Sequence, residues 1–134
     1  MRPRRPTLKK IACSILSISI CLLVIHPVRG QTPQSRKAEA QASLSSGVQA
    51  YRSGNYQTAA DQFGRALQFD PDLLVAELYL GTAYSMLALQ TSTPQEMRQK
   101  AIDVFQRVLQ KEPGMAEAVS GLAGVYQSSG DLPK

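Results

Sequence analysis

The acidic side chains are where chemistry would have to come from, because from residue 31 onward the chain holds no cysteine, histidine or tryptophan. A reaction there would need carboxylates, lysines, tyrosines or serines converging on one spot as acid, base or nucleophile. The spacing offers no such convergence. Asp61 stands four residues before Arg65 and Asp103 four before Arg107, the interval of ion pairs on an exposed helical face. Asp70 and Asp72 flank Pro71 without the ligand spacing of a calcium loop. Gly121 and Gly124 fall in a helical stretch and read as points of close helix approach, not as a phosphate cradle. The expectation is no enzyme, no catalytic residue, no cofactor and no metal.

Residues 1–30 read as an address and not as fold. Arg2, Arg4, Arg5, Lys9 and Lys10 precede an apolar run over residues 11–25, and HPVRG follows with Val28 and Gly30 at the small-residue places of a signal-peptidase site. Cleavage after Gly30 leaves Gln31 as the new N-terminus. A bilayer span needs about 20 apolar residues, which makes an uncleaved anchor the weaker alternative. Arg4, Arg5, Leu8 and Lys9 partly resemble a twin-arginine motif, with Thr7 where an aromatic is usual, so the export route stays open.

This leader also decides the electrostatics. It holds six of the fifteen Lys and Arg residues and none of the ten Asp and Glu, so the chain from Gln31 onward has nine basic against ten acidic residues. Its net charge is near −1, and nucleic acid, which demands a basic patch on the folded part, is not an expected partner. A membrane enters only through an uncleaved leader.

Beyond the leader, residues 31–39 are expected as a polar tether and 40–134 as a helical domain. Alanine, leucine, glutamine and glutamate dominate, and no stretch alternates with a period of two. AADQFGRALQFDP, beginning at Ala59, recurs as AIDVFQRVLQKEP from Ala101, with seven of thirteen residues identical at an offset of 42. Gly47 and Gly81 are 34 apart, so the underlying period is 34 with eight residues inserted between Gly81 and Ala101. Tyr56, Ala59, Ala60, Phe63, Ala66 and Leu67 lie on one face of a helix over residues 56–69, opposite Gln57, Asp61, Arg65 and Gln68. Small Gly47 and Gly81 allow close helix pairing, with Phe63 and Phe105 filling the space beside them. Pro71 and Pro113 stop their helices. Residues 73–89 are apolar nearly all round, as suits a helix in mid-stack.

A 34-residue helix-turn-helix unit with these residues resembles the tetratricopeptide repeat. The match lies in Gly47, Tyr51, Gly54, Tyr56, Ala59, Phe63, Ala66, Leu67 and Pro71; in Leu80, Gly81, Tyr84, Ala101, Phe105, Leu109 and Pro113; and in Leu122, Ala123, Tyr126 and Gly130. The resemblance implies an all-α solenoid of antiparallel helix pairs, about five helices, in units 40–73, 74–115 and a partial 116–134. Ser43 and Ser46 stand where larger apolar residues are usual, which predicts loose packing of the first helix. In the inserted stretch, Thr93, Pro94 and Glu96 spell a capping box for an early helix start. Its economical use is to lengthen both helices of that pair by about one turn each, leaving a protruding tip over residues 90–95 that reads as a tolerated insertion, with a contact loop as the alternative.

The resemblance further implies that the first helix of each pair lines a concave groove for a peptide or helix of a protein partner. The residues carried onto that face are Leu44, Val48, Tyr51 and Arg52, then Leu78, Thr82, Ser85 and Met86, then Ser120, Gly124 and Gln127. They lack a cationic clamp for a terminal carboxylate and suit an apolar or neutral ligand, although Leu44, Val48 and Leu78 also read as core. Two functions follow as expectations: an exported interaction module of the bacterial periplasm, or a non-binding spacer or N-terminal fragment of a longer solenoid. Gly130 matches Gly54, and the counterpart of Ala59 would fall just beyond Lys134. The last helix therefore reads as a first helix without its mate, with an open C-terminal edge able to self-associate.

Overall fold

A computed structural model describes residues 32–130; the expected signal peptide over 1–30 and the final residues 131–134 lie outside the described residues. Five helices follow one another: α1 (Pro33–Arg52), α2 (Tyr56–Phe69), α3 (Leu74–Ala88), α4 (Pro94–Lys111) and α5 (Ala116–Ser129). Each packs on the next, and α3 also touches α1 and α5, so the described residues form an all-α stack of antiparallel helix pairs.

Local signals account for most of the boundaries. The expected tether is instead helical from Pro33, because Thr32 caps the helix, its Oγ1 accepting from Ser35 N at 3.2 Å, and Pro33 takes the first helical position. This early start is anchored by Arg36, which donates to the Gln68 carbonyl at 3.4 Å. Both α2 and α4 end two residues before a proline. The turns that follow repeat: Leu73 N donates to Asp70 O at 3.2 Å and Met115 N to Glu112 O at 3.1 Å. Gly54, after α1, and Gly130, after α5, take left-handed backbone at φ 77° and 76°, where a side chain would be strained.

The eight-residue insertion divides unevenly. Relative to the first pair, two residues extend the end of α3, two enlarge the loop, and four extend the start of α4. The capping box does not form: Thr93 makes no side-chain cap, its Oγ1 lies 3.3 Å from that of Thr91, and Glu96 turns outward to Lys100 at 2.7 Å. Pro94 begins the helix without it.

Two apolar clusters hold the stack. The first joins Ala59, Ala60 and Phe63 of α2, Leu80, Ala83 and Leu87 of α3, and Val104 of α4; the second joins Ala101, Phe105 and Val108 of α4 with Ala118 and Val125 of α5. Their centres are phenylalanines laid directly on glycine backbone. A Cβ added at Gly47 would meet Phe63 Cε1 at 2.5 Å, and one at Gly81 would meet Phe105 Cε1 at 2.9 Å. The second face of each ring is covered differently. Phe63 stacks on Tyr79, centroids 5.4 Å apart at 16°, whereas Phe105 meets Gly121, the residue 42 places after Tyr79, where a Cβ would lie 2.5 Å from Cζ. Phe105 is thus pinned between two helix backbones.

Some expected roles change here. Gly124 is exposed and a Cβ there would meet nothing within 4 Å, so it serves no close approach. Ser46 faces solvent, its hydroxyl donating to Ala42 O at 3.0 Å, while Ser43 is buried in α1.

The two glycines of α5 should therefore respond oppositely to alanine. Gly121→Ala forces a methyl into a ring that cannot retreat and should destabilise by about 1–3 kcal/mol. Gly124→Ala only improves helix propensity and should stabilise by up to about 1 kcal/mol. Urea unfolding of both variants checks this; shifts of the same sign would show that Phe105 is not clamped.

Candidate functional site

Three faces of α3 are spoken for by different neighbours. Leu80, Ala83 and Leu87 enter the first cluster, Glu77 turns toward α4, and Gly81 receives Phe105. What remains is a stripe at three- and four-residue spacing: Val75, Leu78, Thr82, Ser85, Met86 and Leu89. This stripe faces a crevice between α3 and α5. Its wider part, about 610 Å³, is lined by Leu74, Val75, Leu78, Tyr79 and Thr82 with Met115 and Glu117. A narrower part, about 240 Å³, continues from Thr82 past Ser85, Met86 and Leu89, with Ser120, Gly121, Gly124 and Ser128 opposite and Phe105 and Val125 beneath.

Three hydroxyls of this lining already donate their protons within the chain. Thr82 Oγ1 donates to Leu78 O at 3.0 Å, Ser85 Oγ to Gly81 O at 3.0 Å, and Ser128 Oγ to Val125 O at 2.8 Å. Their protons are committed, so those hydroxyls can only accept further bonds. Glu117, the charged residue of the lining, is an acceptor as well. The crevice therefore offers apolar walls with acceptors at Thr82, Ser85, Ser128 and Glu117, to which a ligand could bring N–H donors, beside the uncommitted hydroxyls of Tyr79 and Ser120.

The expected groove across three helices is thus reduced to two. Leu78, Thr82, Ser85, Met86, Ser120 and Gly124 come together in the crevice. Leu44, Val48 and Tyr51 do not join them; they pack on the first cluster, as Leu78 packs on the second, but none of the three lines the crevice. Tyr51 meets the edge of Tyr56 at 5.2 Å, and burial, then the neighbouring Tyr56, pushes its phenol above the ordinary range. Arg52 is exposed in the last turn of α1, and Gln127 is exposed but not in the crevice lining. Sequence reading missed Val75, Tyr79, Leu89, Met115 and Glu117. Extending the stripe one turn beyond Leu78 and Met86 would have found Val75 and Leu89, and Leu89 is 66% exposed at the crevice mouth.

The position of α3 against α4 is set by charge. Glu77 Oε1 accepts from Arg107 Nε at 3.0 Å and Oε2 from Lys111 Nζ at 2.9 Å. The Glu77 side chain is 6% exposed, whereas the two cations are 51% and 40% exposed and stay partly hydrated. Burial alone would raise the Glu77 carboxyl; the hydrogen bonds and charges of Lys111 and Arg107 together outweigh it and hold the group below its ordinary value. The expected pairs Asp61 with Arg65 and Asp103 with Arg107 are not made. Asp61 accepts from Gln57 at 3.1 Å and Asp103 from Gln99 at 2.8 Å, and Arg107 is drawn to Glu77 because a carboxylate shielded from water gains more from a cation than an exposed one.

Among the described residues no group of acids suits a metal, and no helix is long and apolar enough to cross a membrane. Comparison of the chain with protein-family models, with curated proteins and with solved structures finds no match in any of the three.

The Glu77 bridge makes a pH prediction. A carboxyl whose folded pKa is depressed adds stability above its unfolded value, ordinarily 4.5, and loses it as pH falls through the lower folded value. Glu77→Gln should cost about 1–2 kcal/mol near neutrality. The gap between wild type and variant should close as the pH falls below that ordinary value. Denaturant unfolding over an acid series measures it; a gap that stays constant would mean that the ionised carboxylate is not what Arg107 and Lys111 stabilise.

Proposed function

We propose that the chain is an exported tetratricopeptide-repeat interaction module that holds an extended segment of a protein partner in the cell envelope, gripped along the α3/α5 crevice. The observation that carries this reading is the mainly apolar lining of that crevice, with acceptors at Thr82, Ser85, Ser128 and Glu117. Backbone N–H groups of an extended peptide supply the donors that Thr82, Ser85 and Ser128 lack, and its side chains fill the space beside Val75, Leu78 and Tyr79. Glu117 at one end favours a basic side chain there. The repeat assignment is supported by the 34-residue spacing of Gly47 and Gly81 together with the paired-helix stack. Export rests on the charged and apolar pattern of residues 1–30.

A spacer, or the first part of a longer solenoid, is the second reading. It is favoured by the way Leu44, Val48 and Tyr51 are absorbed into the core and do not extend the groove.

Display of random peptides against the chain from Gln31 onward separates the two. The module reading expects selected peptides rich in apolar residues with a basic residue near one end. Their affinity should fall at least about tenfold in Thr82→Trp, which obstructs both parts of the crevice, with circular dichroism unchanged. Glu117→Gln should weaken only the basic peptides, by about threefold to tenfold. Selected peptides that bind Thr82→Trp as well as wild type would refute the crevice, and the absence of any binder from a folded sample would favour the spacer.

A further inference from the structure

We propose that the wide part of the α3/α5 crevice is an arginine pocket: a guanidinium of the partner's extended segment lies on the ring of Tyr79 and pairs with Glu117, while its aliphatic stem runs along Val75 and Leu78. The assignment rests on the crevice being a peptide groove, and adds which residue of the peptide its wide part selects. The space there is about 610 Å³, room for a long side chain to enter whole, against about 240 Å³ in the narrow part.

Two groups of this lining attract a cation. Tyr79 is stacked on Phe63 at a centroid distance of 5.4 Å, yet 37% of it is exposed, so the ring face turned away from Phe63 is left for a ligand. Such a face attracts positive charge, and a flat guanidinium, more weakly hydrated than an ammonium, stacks on it with less loss. Glu117 lines the same space from α5 and takes part in none of the ion pairs among the described residues. No lysine or arginine is among the described residues that line the wide part, and Arg107 and Lys111, the cations that α4 sends toward α3, are held by Glu77. The wide part also lies at the N-terminal ends of both wall helices, where the turns leading into them carry Asp70, Asp72 and Glu112 and no basic residue. With Glu117 these carboxylates outweigh the partial positive charge of two helix N-termini, about half a unit each, and their summed field draws a positive group to this end.

Other occupants fit less well. An apolar side chain would fill the space beside Val75, Leu78 and Met115 but would strip water from Glu117 with nothing to replace it. A bare metal ion would find Glu117 as its single carboxylate in the lining. Lysine brings the charge on a compact, strongly hydrated ammonium that gains less from the ring. Arginine satisfies stem, ring and carboxylate together, its N–H fork facing Glu117. Residues 75 to 89 of α3 cover about 21 Å of crevice wall, the length of about six extended residues, so the arginine belongs near one end of a hexapeptide and the rest of it follows the narrow part.

The test uses the chain from Gln31 onward, which holds all five helices, and labelled hexapeptides of leucine and alanine with acetyl and amide ends. One residue, second or fifth to allow either chain direction, is Arg, Lys, norleucine or citrulline, the neutral isostere of Arg. Fluorescence anisotropy should give the Arg peptide about tenfold higher affinity than the citrulline or norleucine peptide and about threefold higher than the Lys peptide. The preference over citrulline should shrink about threefold to tenfold in Glu117→Gln and about threefold in Tyr79→Leu, and survive in Tyr79→Phe, with circular dichroism confirming that each variant is folded. Equal affinity of the Arg and norleucine peptides, both weakened by Thr82→Trp, would leave the crevice as a peptide groove and overturn the arginine pocket. So would an Arg preference unchanged in both Glu117→Gln and Tyr79→Leu, or a norleucine peptide with a free amino end that matches the Arg peptide, which would make a chain terminus the cation. Failure of every peptide to bind the folded chain would sink the pocket and the groove together.

Discussion

An aromatic ring lying on bare helix backbone is the contact on which the rest of this stack depends. Phe63 on Gly47 ties α2 to α1, and Phe105 between Gly81 and Gly121 ties α4 to α3 and α5 at once. The contact requires a glycine at each of those points. It also sets how near the helices lie, because any side chain there would hold the ring off and open a void around it. The small residues around the rings, Ala59, Ala66, Ala83 and Ala101, are fully buried and bring little apolar area of their own. Most of the cohesive surface therefore sits in two rings and the few branched side chains beside them, an economical core for helices of 14–20 residues.

The same economy makes α3 both core and site. A helix apolar nearly all round is ordinarily buried all round, yet Val75 and Tyr79 are exposed because α5 meets α3 only in part. Tyr79 stacks on Phe63 and also lines the crevice, so one side chain belongs to both the packing and the candidate site. Glu77 holds the first turn of α3 against α4 and keeps the neighbouring Val75 and Leu78 turned toward the crevice. A charge bridge with hydrated cations on one face thus steadies an apolar surface on the other.

How far this was readable in the sequence differs from element to element. The bounds of α2 follow from the apolar stripe and from Pro71, and the inserted residues from the mismatch between the 42- and 34-residue spacings. Those are local or periodic signals, and the structure agrees with them. Where a residue had two possible partners, spacing was a poor guide. Glu96 stands three residues after Thr93, as a capping box needs, but also four before Lys100, and the ion pair forms. Arg107 stands four after Asp103 but reaches the shielded Glu77 thirty residues back. The expected groove residues are divided for a related reason. Leu44 and Val48 pack on the first cluster and Leu78 on the second, but the Leu78 and Thr82 face borders a helix whose residues 120, 121 and 124 are serine and glycine. Side chains that small leave a gap, and the gap is the crevice.

Contacts in this stack run almost wholly between consecutive helices, with α5 held by α4 and, more lightly, by α3. The free energy of releasing α5 is that of those contacts alone, well short of unfolding the Phe63 cluster. One wall of the crevice belongs to this helix, so the crevice vanishes when it comes away. Anything held in that crevice would raise the fraction of molecules in which α5 is docked, with no change in the closed form itself.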